Sequence, residues 1–386
     1  MKIFIIARGY PSKQEPTWGC FEKDQAEALA QLGHQVTILS VDTRFRFCWR
    51  KLGIQCGMQN NIATFNIFLL PYALLFFLPK KMKDWFYAWQ LELIYKYATS
   101  QQGTPDVLYS HYLHTTQKAI RIHKKYNIPL VGIEHWSQMA FLPISRNNLS
   151  TAWEVYSSID QLITVSSSLR KNILEQIGLD SIVVPNIVAN EFYYTNPTCK
   201  NQVFTMVSVG RLDHGKGFDL LIQALFEIKN QLPKNWQTKI IGSGELRDTL
   251  QRKINTYNLQ DNIILLGKKS KEDIVPLLQQ SDLFILPSRS ETFGVAYIEA
   301  MACGLPIIAT DCGGPRDIVT PENGLLIPNE DTCALADAIL YMVRNINKYN
   351  RKAIAEDCQA RFSSEVIAKQ LTQIFEDTIK KYKEKQ

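Results

Sequence analysis

FTMVSVGRLDHGKGFDLLIQALFEIK, residues 204–229, decides the fold. Phe204–Val209 is a short apolar run rich in strand formers. Gly210, Gly215 and Gly217 then open a loop, and Phe218–Lys229 continues with apolar residues at helical spacing. Strand, glycine loop and helix in that order make the first step of a doubly wound α/β unit. Working downstream, Thr238–Ile241, Ile263–Leu266, Leu283–Leu286 and Pro306–Ala309 read as further strands. Working upstream, the same alternation has already run once. Ile3–Ile6 is a first strand, a glycine-containing loop spans Gly9 to Gly19, and helix Phe21–Leu32 is ended by Gly33. Val36–Leu39, Pro105–Tyr109, Leu130–Ile133 and Gln161–Val165 follow as strands. Two rounds of β–α alternation imply two parallel sheets, each covered on both faces, with ligands taken at the carboxyl ends of the strands. The expected domains are 1–187 and 200–365, joined by a linker at 188–199 within Pro185–Lys200, a stretch with two prolines, several asparagines and no clear period. Glu365–Gln386 reads as a polar helix with Ile367, Leu371, Ile374 and Phe375 on one face.

Length and composition agree. At about 150 residues per domain, 386 residues make two domains. Hydrophobic residues at 46% and charged residues at 21% supply two cores and exclude a disordered chain. The eight cysteines are scattered with no CxxC pair, which argues against a zinc site or a redox motif and fits a reducing cytoplasm. Met1–Ala7 is too short an apolar run for a signal peptide, and Arg8 interrupts it. The net charge of +6 is uneven: residues 1–190 hold 19 Lys and Arg against 13 Asp and Glu, while residues 191–386 hold 24 of each. The excess lies wholly in the first half and favours an anionic partner there, against the blander reading of a mildly basic chain. The longest apolar stretch, Ile67–Pro79 (IFLLPYALLFFLP), is short of the roughly 20 residues of a membrane span. Lys80, Lys81, Lys83, Trp85, Phe86 and Trp89 follow it. Apolar, basic and aromatic residues together suit docking on an anionic membrane surface; the alternative is a buried helix pair with a solvated lysine cap.

Two segments carry chemistry. VGRLDHGKG, residues 209–217, lets backbone approach a ligand at three glycines and sets two cations, Arg211 and Lys216, beside it. That suits a diphosphate, although such turns are often structural. It is neither a P-loop nor a dinucleotide fingerprint. PSRSETFGVAYIEAMACG, residues 287–304, ends a strand and opens a helix near Gly294, whose first amides can receive phosphate oxygens. Glu291 precedes that helix and Glu299 lies inside it. Carboxylates on either side of an anion site suit the hydroxyl groups of sugar and ribose. His135 ends the strand LVGIEHW, where a lone histidine is otherwise a satisfied core or surface residue. His111 and His114 in LYSHYLHT follow another strand end.

These segments resemble the family 4 retaining glycosyltransferases of the GT-B fold, over nearly the whole chain. The likeness is best at the glutamate pair Glu291 and Glu299 within SETFGVAYIEAMACGLPIIAT, with VGRLDHGKG at the expected distance upstream. The resemblance implies a GT-B architecture of two Rossmann-like domains facing a central cleft, with the last helix, 366–386, packing back on the first domain. It implies a sugar transfer from a UDP-sugar or GDP-sugar, UDP favoured, to a hydroxyl of a lipid-linked or growing surface glycan. Catalytic roles fall on His135, Arg211, Lys216 and Glu291. Donor binding falls on Gly19, Gly210, Gly242, Gly244, Phe293, Gly294, Val295 and Glu299. Ser166 and Asn186 also match family positions, but Asn186-Ile187 replaces the usual Asn-Gly. The sequence has no Asp-x-Asp, so no metal and no cofactor are expected; nucleic acid is not an expected partner. The expected location is cytoplasmic, peripheral on the inner face of the plasma membrane. The rival readings are a sugar-nucleotide epimerase of the same fold and a non-catalytic sugar-nucleotide or glycan-binding protein.

Overall fold

A computed structural model describes residues 1–11, 18–44, 51–70, 72–140, 144–196 and 203–385. Part of the Gly9–Gly19 loop, part of the Ile67–Pro79 stretch, the end of the 188–199 linker and the opening residues of 200–365 lie outside the described residues. The chain divides into two compact units, Met1–Ile187 with Ser364–Gln386, and Val188–Ser363.

The first unit holds β1 (Lys2–Ala7), β2 (Gln35–Val41), β3 (Gly53–Gln59), β4 (Ile62–Phe68), β5 (Val107–His111), β6 (Leu130–Glu134), β7 (Gln161–Thr164) and β8 (Ile182–Val183). They form one sheet in the order β3-β4-β2-β1-β5-β6-β7-β8, parallel except for β3 against β4. β1, β5 and β6 are buried on both faces, which is why Ile3–Ala7, Val107–Tyr109 and Leu130–Ile133 are apolar runs rather than alternating ones; β5 and β6 then close on the buried polar residues Ser110, His111 and Glu134. The β3–β4 hairpin turns at Asn60 and Asn61, both at positive φ (47° and 62°), the backbone a two-residue hairpin requires. Its helices are α1 (Cys20–Gln31), α2 (Lys80–Gln102), α3 (Leu113–Tyr126), α4 (Ser137–Ala140), α5 (Arg146–Tyr156) and α6 (Ser167–Ile177).

The Ile67–Pro79 stretch is neither one helix nor a buried pair. Ile67 and Phe68 finish β4, Tyr72–Leu75 is a single 3-10 turn, and α2 begins at Lys80. Among the described residues no helix is long and apolar enough to cross a membrane.

The second unit holds β9 (Phe204–Val209), β10 (Trp236–Ile241), β11 (Ile263–Gly267), β12 (Leu283–Leu286), β13 (Ile307–Thr310) and β14 (Gly324–Ile327), with α7 (Phe218–Ile228), α8 (Arg247–Thr256), α9 (Lys271–Gln279), α10 (Val295–Ala302), α11 (Thr332–Asn345) and α12 (Arg351–Phe362). The sheet is parallel throughout, in the order β11-β10-β9-β12-β13-β14. Val188, Ala189 and Phe192 are buried in this unit, so the start of the segment read as a linker is packed core. The last helix, α13 (Ser364–Glu384), belongs to the first unit, where Phe375 meets the Tyr109 ring edge-on at 5.0 Å and His34 bonds Thr372 at 2.9 Å.

In each sheet the winding reverses at one place: between β1 and β5 in the first, between β9 and β12 in the second. Loops leaving the carboxyl ends of neighbouring strands part there and leave a crevice.

Candidate functional site

In the second unit the two loops that carry the sequence motifs leave β9 and β12, on either side of the reversal. Close backbone approach explains the glycines. A Cβ on Gly217, at φ 66°, would lie 1.9 Å from the Pro287 carbonyl oxygen. One on Gly242, just after β10, would lie 1.8 Å from the Gly210 oxygen. Gly244 sits as tightly against Leu212. Lys216 Nζ donates to Glu291 Oε1 at 2.5 Å, and Ser288 Oγ donates to the same oxygen at 2.9 Å. Cation and carboxylate are therefore joined across 75 positions of sequence. Gly294 caps α10 in the left-handed region, with Val295 as the first helical residue and Glu299 half-buried further in. The Phe293 side chain is core, edge-on to Phe362 at 5.8 Å; its backbone faces Gly314. Arg211 is different. Its side chain is 77% exposed and is held by its neighbour Asp213 at 2.6 Å.

Arg289 was not singled out from the sequence. Its guanidinium takes both carboxylate oxygens of Asp219 at 2.8 and 2.7 Å and also donates to the His214 carbonyl. Its own amide donates to the Gly215 carbonyl at 2.8 Å. One residue of the β12 loop thus fixes the turn that presents Lys216. Nothing in the run Ser-Arg-Ser marks it; only the tertiary contact does.

In the first unit His135 follows β6 and is buried. Its ring lies parallel to that of His111, at the end of adjacent β5, with centroids 5.3 Å apart and Nε2 of His135 3.2 Å from Nδ1 of His111. Phe21 stacks on the other side at 5.4 Å. His111 Nε2 and His135 Nδ1 lack a well-formed hydrogen bond, although Asn186 lies close enough to favour a protonated His135. Tyr112 lies against the His135 ring at 5.1 Å and under the Arg8 guanidinium at 3.8 Å. It holds φ 67°, a strained setting for a bulky side chain and of the kind that gathers at functional sites. Arg8 in turn pairs with buried Glu22 at 2.9 Å. Glu134 anchors the whole corner: its carboxylate accepts from the backbone N–H groups of Leu113, His135 and Trp136 and from the Tyr156 hydroxyl. Burial still pushes its pKa upward. Gly19 caps α1 at φ 78°, and a Cβ there would lie 2.2 Å from the Gly9 oxygen. Ser166 is the N-cap of α6, accepting from the Leu169 amide at 3.2 Å. His114 meets Trp136 edge-on at 4.8 Å.

The histidine pair predicts a pH dependence. Burial lowers the His111 pKa from 6.5 to about 3, with Arg8 adding to it, and lowers His135 well below 6.5, with His111 adding to that. The unfolded chain therefore binds protons between pH 6.5 and 3 that the folded chain refuses. Stability rises with pH across that window and falls on acidification, by about 1.4 kcal/mol per pH unit for each histidine. Thermal melts from pH 7 to 4 should show this slope, and His111→Phe should reduce it.

Among the described residues no group of three or more His, Cys, Asp or Glu is placed to hold a metal ion.

Comparison with known proteins adds to this geometry. Residues 23–192 match the family model described as Glycosyltransferase Family 4, and residues 196–356 the one described as Glycosyl transferases group 1. A putative teichuronic acid biosynthesis glycosyltransferase of Bacillus subtilis (strain 168) is 25% identical over 362 residues, 88% of each chain. A phosphatidyl-myo-inositol mannosyltransferase of Mycobacterium leprae is 27% identical over 282 residues, 71% of this chain and 74% of its own. Among solved structures, a sucrose-phosphate synthase from Thermosynechococcus elongatus superposes with a TM-score of 0.75 at 22% identity, over 98% of both chains. The Anabaena protein HepE, in complex with UDP, gives 0.74 at 20% identity over 97% of this chain and 99% of its own. Matched along both halves, and with its glycine loop and its glutamate pair in place, the chain belongs to the family 4 type of glycosyltransferases and has the GT-B fold.

Proposed function

We propose that this glycosyltransferase takes its sugar from a nucleoside diphosphate donor, a UDP-sugar before a GDP-sugar, held at the carboxyl ends of β9 and β12. It passes the sugar, with retention, to a hydroxyl of a lipid-linked or growing surface glycan, working in the cytoplasm at the inner face of the plasma membrane. The observation that carries the donor reading is Lys216 joined to Glu291 beside the first amides of α10. The chemical demand of the reaction is charge stabilisation on the departing diphosphate. An ammonium, a helix N-terminus and the exposed guanidinium of Arg211 meet that demand where charge develops. Glu291 then turns to donor-sugar hydroxyls and Glu299 to the ribose. At the first unit's strand ends, His111 Nε2 and His135 Nδ1, which lack well-formed hydrogen bonds, suit hydroxyl groups, since buried polar atoms require partners. The preference for UDP is supported by the UDP complex of the fold neighbour HepE. The lipid-linked acceptor is supported by relatives named for phosphatidylinositol-type acceptors, including a GDP-mannose-dependent enzyme of Corynebacterium glutamicum that is 30% identical over 175 residues.

The test is transfer itself. With EDTA present, UDP-sugars and GDP-sugars are each offered with lipid-linked glycan acceptors, and nucleoside diphosphate release and the product's anomeric proton are followed by NMR. The expected result is acceptor-dependent release from one nucleotide class and an unchanged anomeric configuration. Inversion, or interconversion of the donor without acceptor, contradicts the reading.

Arg289→Ala is expected to weaken donor binding about tenfold or more, because it frees the turn that carries Lys216 from a half-buried bidentate pair. The effect should fall on KM more than on kcat. Arg289→Lys, which keeps charge but loses the fork, should recover only part of it.

A further inference from the structure

An exposed apolar elbow lies at the start of α2. Phe76 is 82% exposed, Phe77 68% and Trp85 58%, and Leu74 and Met82 stand out beside them. Beside Met82 and Trp85 opens an apolar hollow of about 430 Å³, walled also by Leu70, Leu75, Leu78, Phe86 and Lys81. Isolated exposed apolar residues are ordinary, but a contiguous group of this size marks a contact surface.

The charge around it says what the surface meets. Lys80, Lys81 and Lys83 occupy the first turn of α2, which contains no acidic residue. The N-cap is Pro79, which gives no side-chain hydrogen bond. Helix starts favour acidic side chains, because the unpaired N–H groups already carry positive potential. Three lysines there work against the helix and suit an external anion. The next carboxylate along, Asp84, is bound to Lys118 at 2.6 Å. Trp85 stacks parallel to Trp89 at 6.5 Å, and Phe86 packs on Trp89 at 5.7 Å, so the aromatic wall is rigid.

We propose that the elbow formed by Leu70 and Leu74–Trp85 is a docking surface for an anionic phospholipid bilayer. Phe76 and Phe77 enter the acyl boundary, the hollow takes an acyl chain, and the lysines hold headgroup phosphates. A bilayer offers anions and apolar chains in one layer, the two chemistries this surface presents together. A nucleic acid would satisfy the lysines but not the exposed phenyl rings. The inference deepens the lipid-linked acceptor reading above, since docking brings the enzyme to such an acceptor.

The test uses the full chain and vesicles of phosphatidylcholine, with and without phosphatidylglycerol. Binding is expected to anionic vesicles, to weaken with salt, and to quench Trp85 when the lipid chains carry bromine; Trp85→Phe should remove that share of the quenching. Phe76→Ser with Phe77→Ser should abolish binding. Lys80→Glu with Lys81→Glu should weaken it at least about 25-fold, at about fivefold per lysine near an anionic surface. Binding that survives either double variant, or no binding by the native chain, overturns the proposal. Self-association lost in Phe76→Ser with Phe77→Ser, without vesicle binding, identifies a second copy as the occupant instead and also overturns it. Nucleotide binding by each variant, measured alongside, shows that it is folded. It also separates failure here from failure of the donor reading, because vesicle binding requires no sugar nucleotide.

Discussion

Lys216→Ala is expected to lower kcat by about 10²–10³, equivalent to about 2.7–4 kcal/mol of transition-state stabilisation. The lysine is a half-buried cation ion-paired with Glu291, just ahead of the α10 start. Removing it takes away the charge that a leaving diphosphate needs. It also leaves Glu291, almost buried, as an unpaired anion beside that diphosphate. Two effects therefore add, and they separate experimentally. Lys216→Ala combined with Glu291→Gln should bind nucleotide better than Lys216→Ala alone, because the repulsion is gone, yet remain slow. Lys216→Arg should keep charge but misplace it and recover part of the rate. Steady-state rates at saturating acceptor decide the matter. A Lys216→Ala enzyme within threefold of native kcat would place the diphosphate elsewhere.

Glu134→Ala should unfold the first unit at least about 3 kcal/mol more easily. Its carboxylate accepts four hydrogen bonds, three from backbone amides just past the ends of β5 and β6 and one from the hydroxyl of Tyr156 at the end of α5. Alanine leaves these donors buried and without acceptors, and each such loss costs about 1–3 kcal/mol before relaxation. At about 2–4 °C per kcal/mol for a unit of this size, the melting temperature should fall by roughly 6–12 °C. Glu134→Gln keeps one acceptor oxygen and should fall between the two. Because His135 is carried by one of these amides, Glu134→Gln should also lower kcat without changing nucleotide affinity in the other unit. A melt unchanged in Glu134→Ala would remove the carboxylate from its anchoring role.

Much of this was readable before any coordinates. β1 and β12 are buried on both faces, so Ile3–Ala7 and Leu283–Leu286 each declare themselves as an unbroken apolar run, whereas β5, β6 and β9 carry the buried polar residues Ser110, Glu134, Thr205 and Ser208 within or at the end of theirs. The glycines of VGRLDHGKG declare themselves too, because the backbone contacts at Gly217 and Gly242 leave no room for a Cβ. The β3–β4 hairpin did not. GIQCGMQ is an exposed edge strand with little alternation, and its turn is Asn-Asn rather than Asn-Gly. The strand nature of Ile67 was hidden because β4 runs straight into an apolar turn, and the pair reads as one hydrophobic block. Apolar residues buried in a strand and apolar residues exposed beyond it give the same letters. Partnerships were the least legible. His111 and His135 meet only because β5 and β6 are neighbours in register, with His111 opposite Ile133. Lys216 meets Glu291, and Arg289 meets Asp219, across the β9–β12 reversal. Sequence spacing carries residue types; strand order decides which of them touch.

The central claim is that the second unit grips a nucleoside diphosphate through Lys216 without help from a metal. The measurement is calorimetric titration of UDP and of GDP into the protein with EDTA present, repeated on Lys216→Ala. One-to-one binding of one nucleotide is expected, weakened at least about tenfold in the variant, as loss of a charge-assisted contact requires. Absence of binding by both nucleotides, or binding that is indifferent to Lys216, would contradict it.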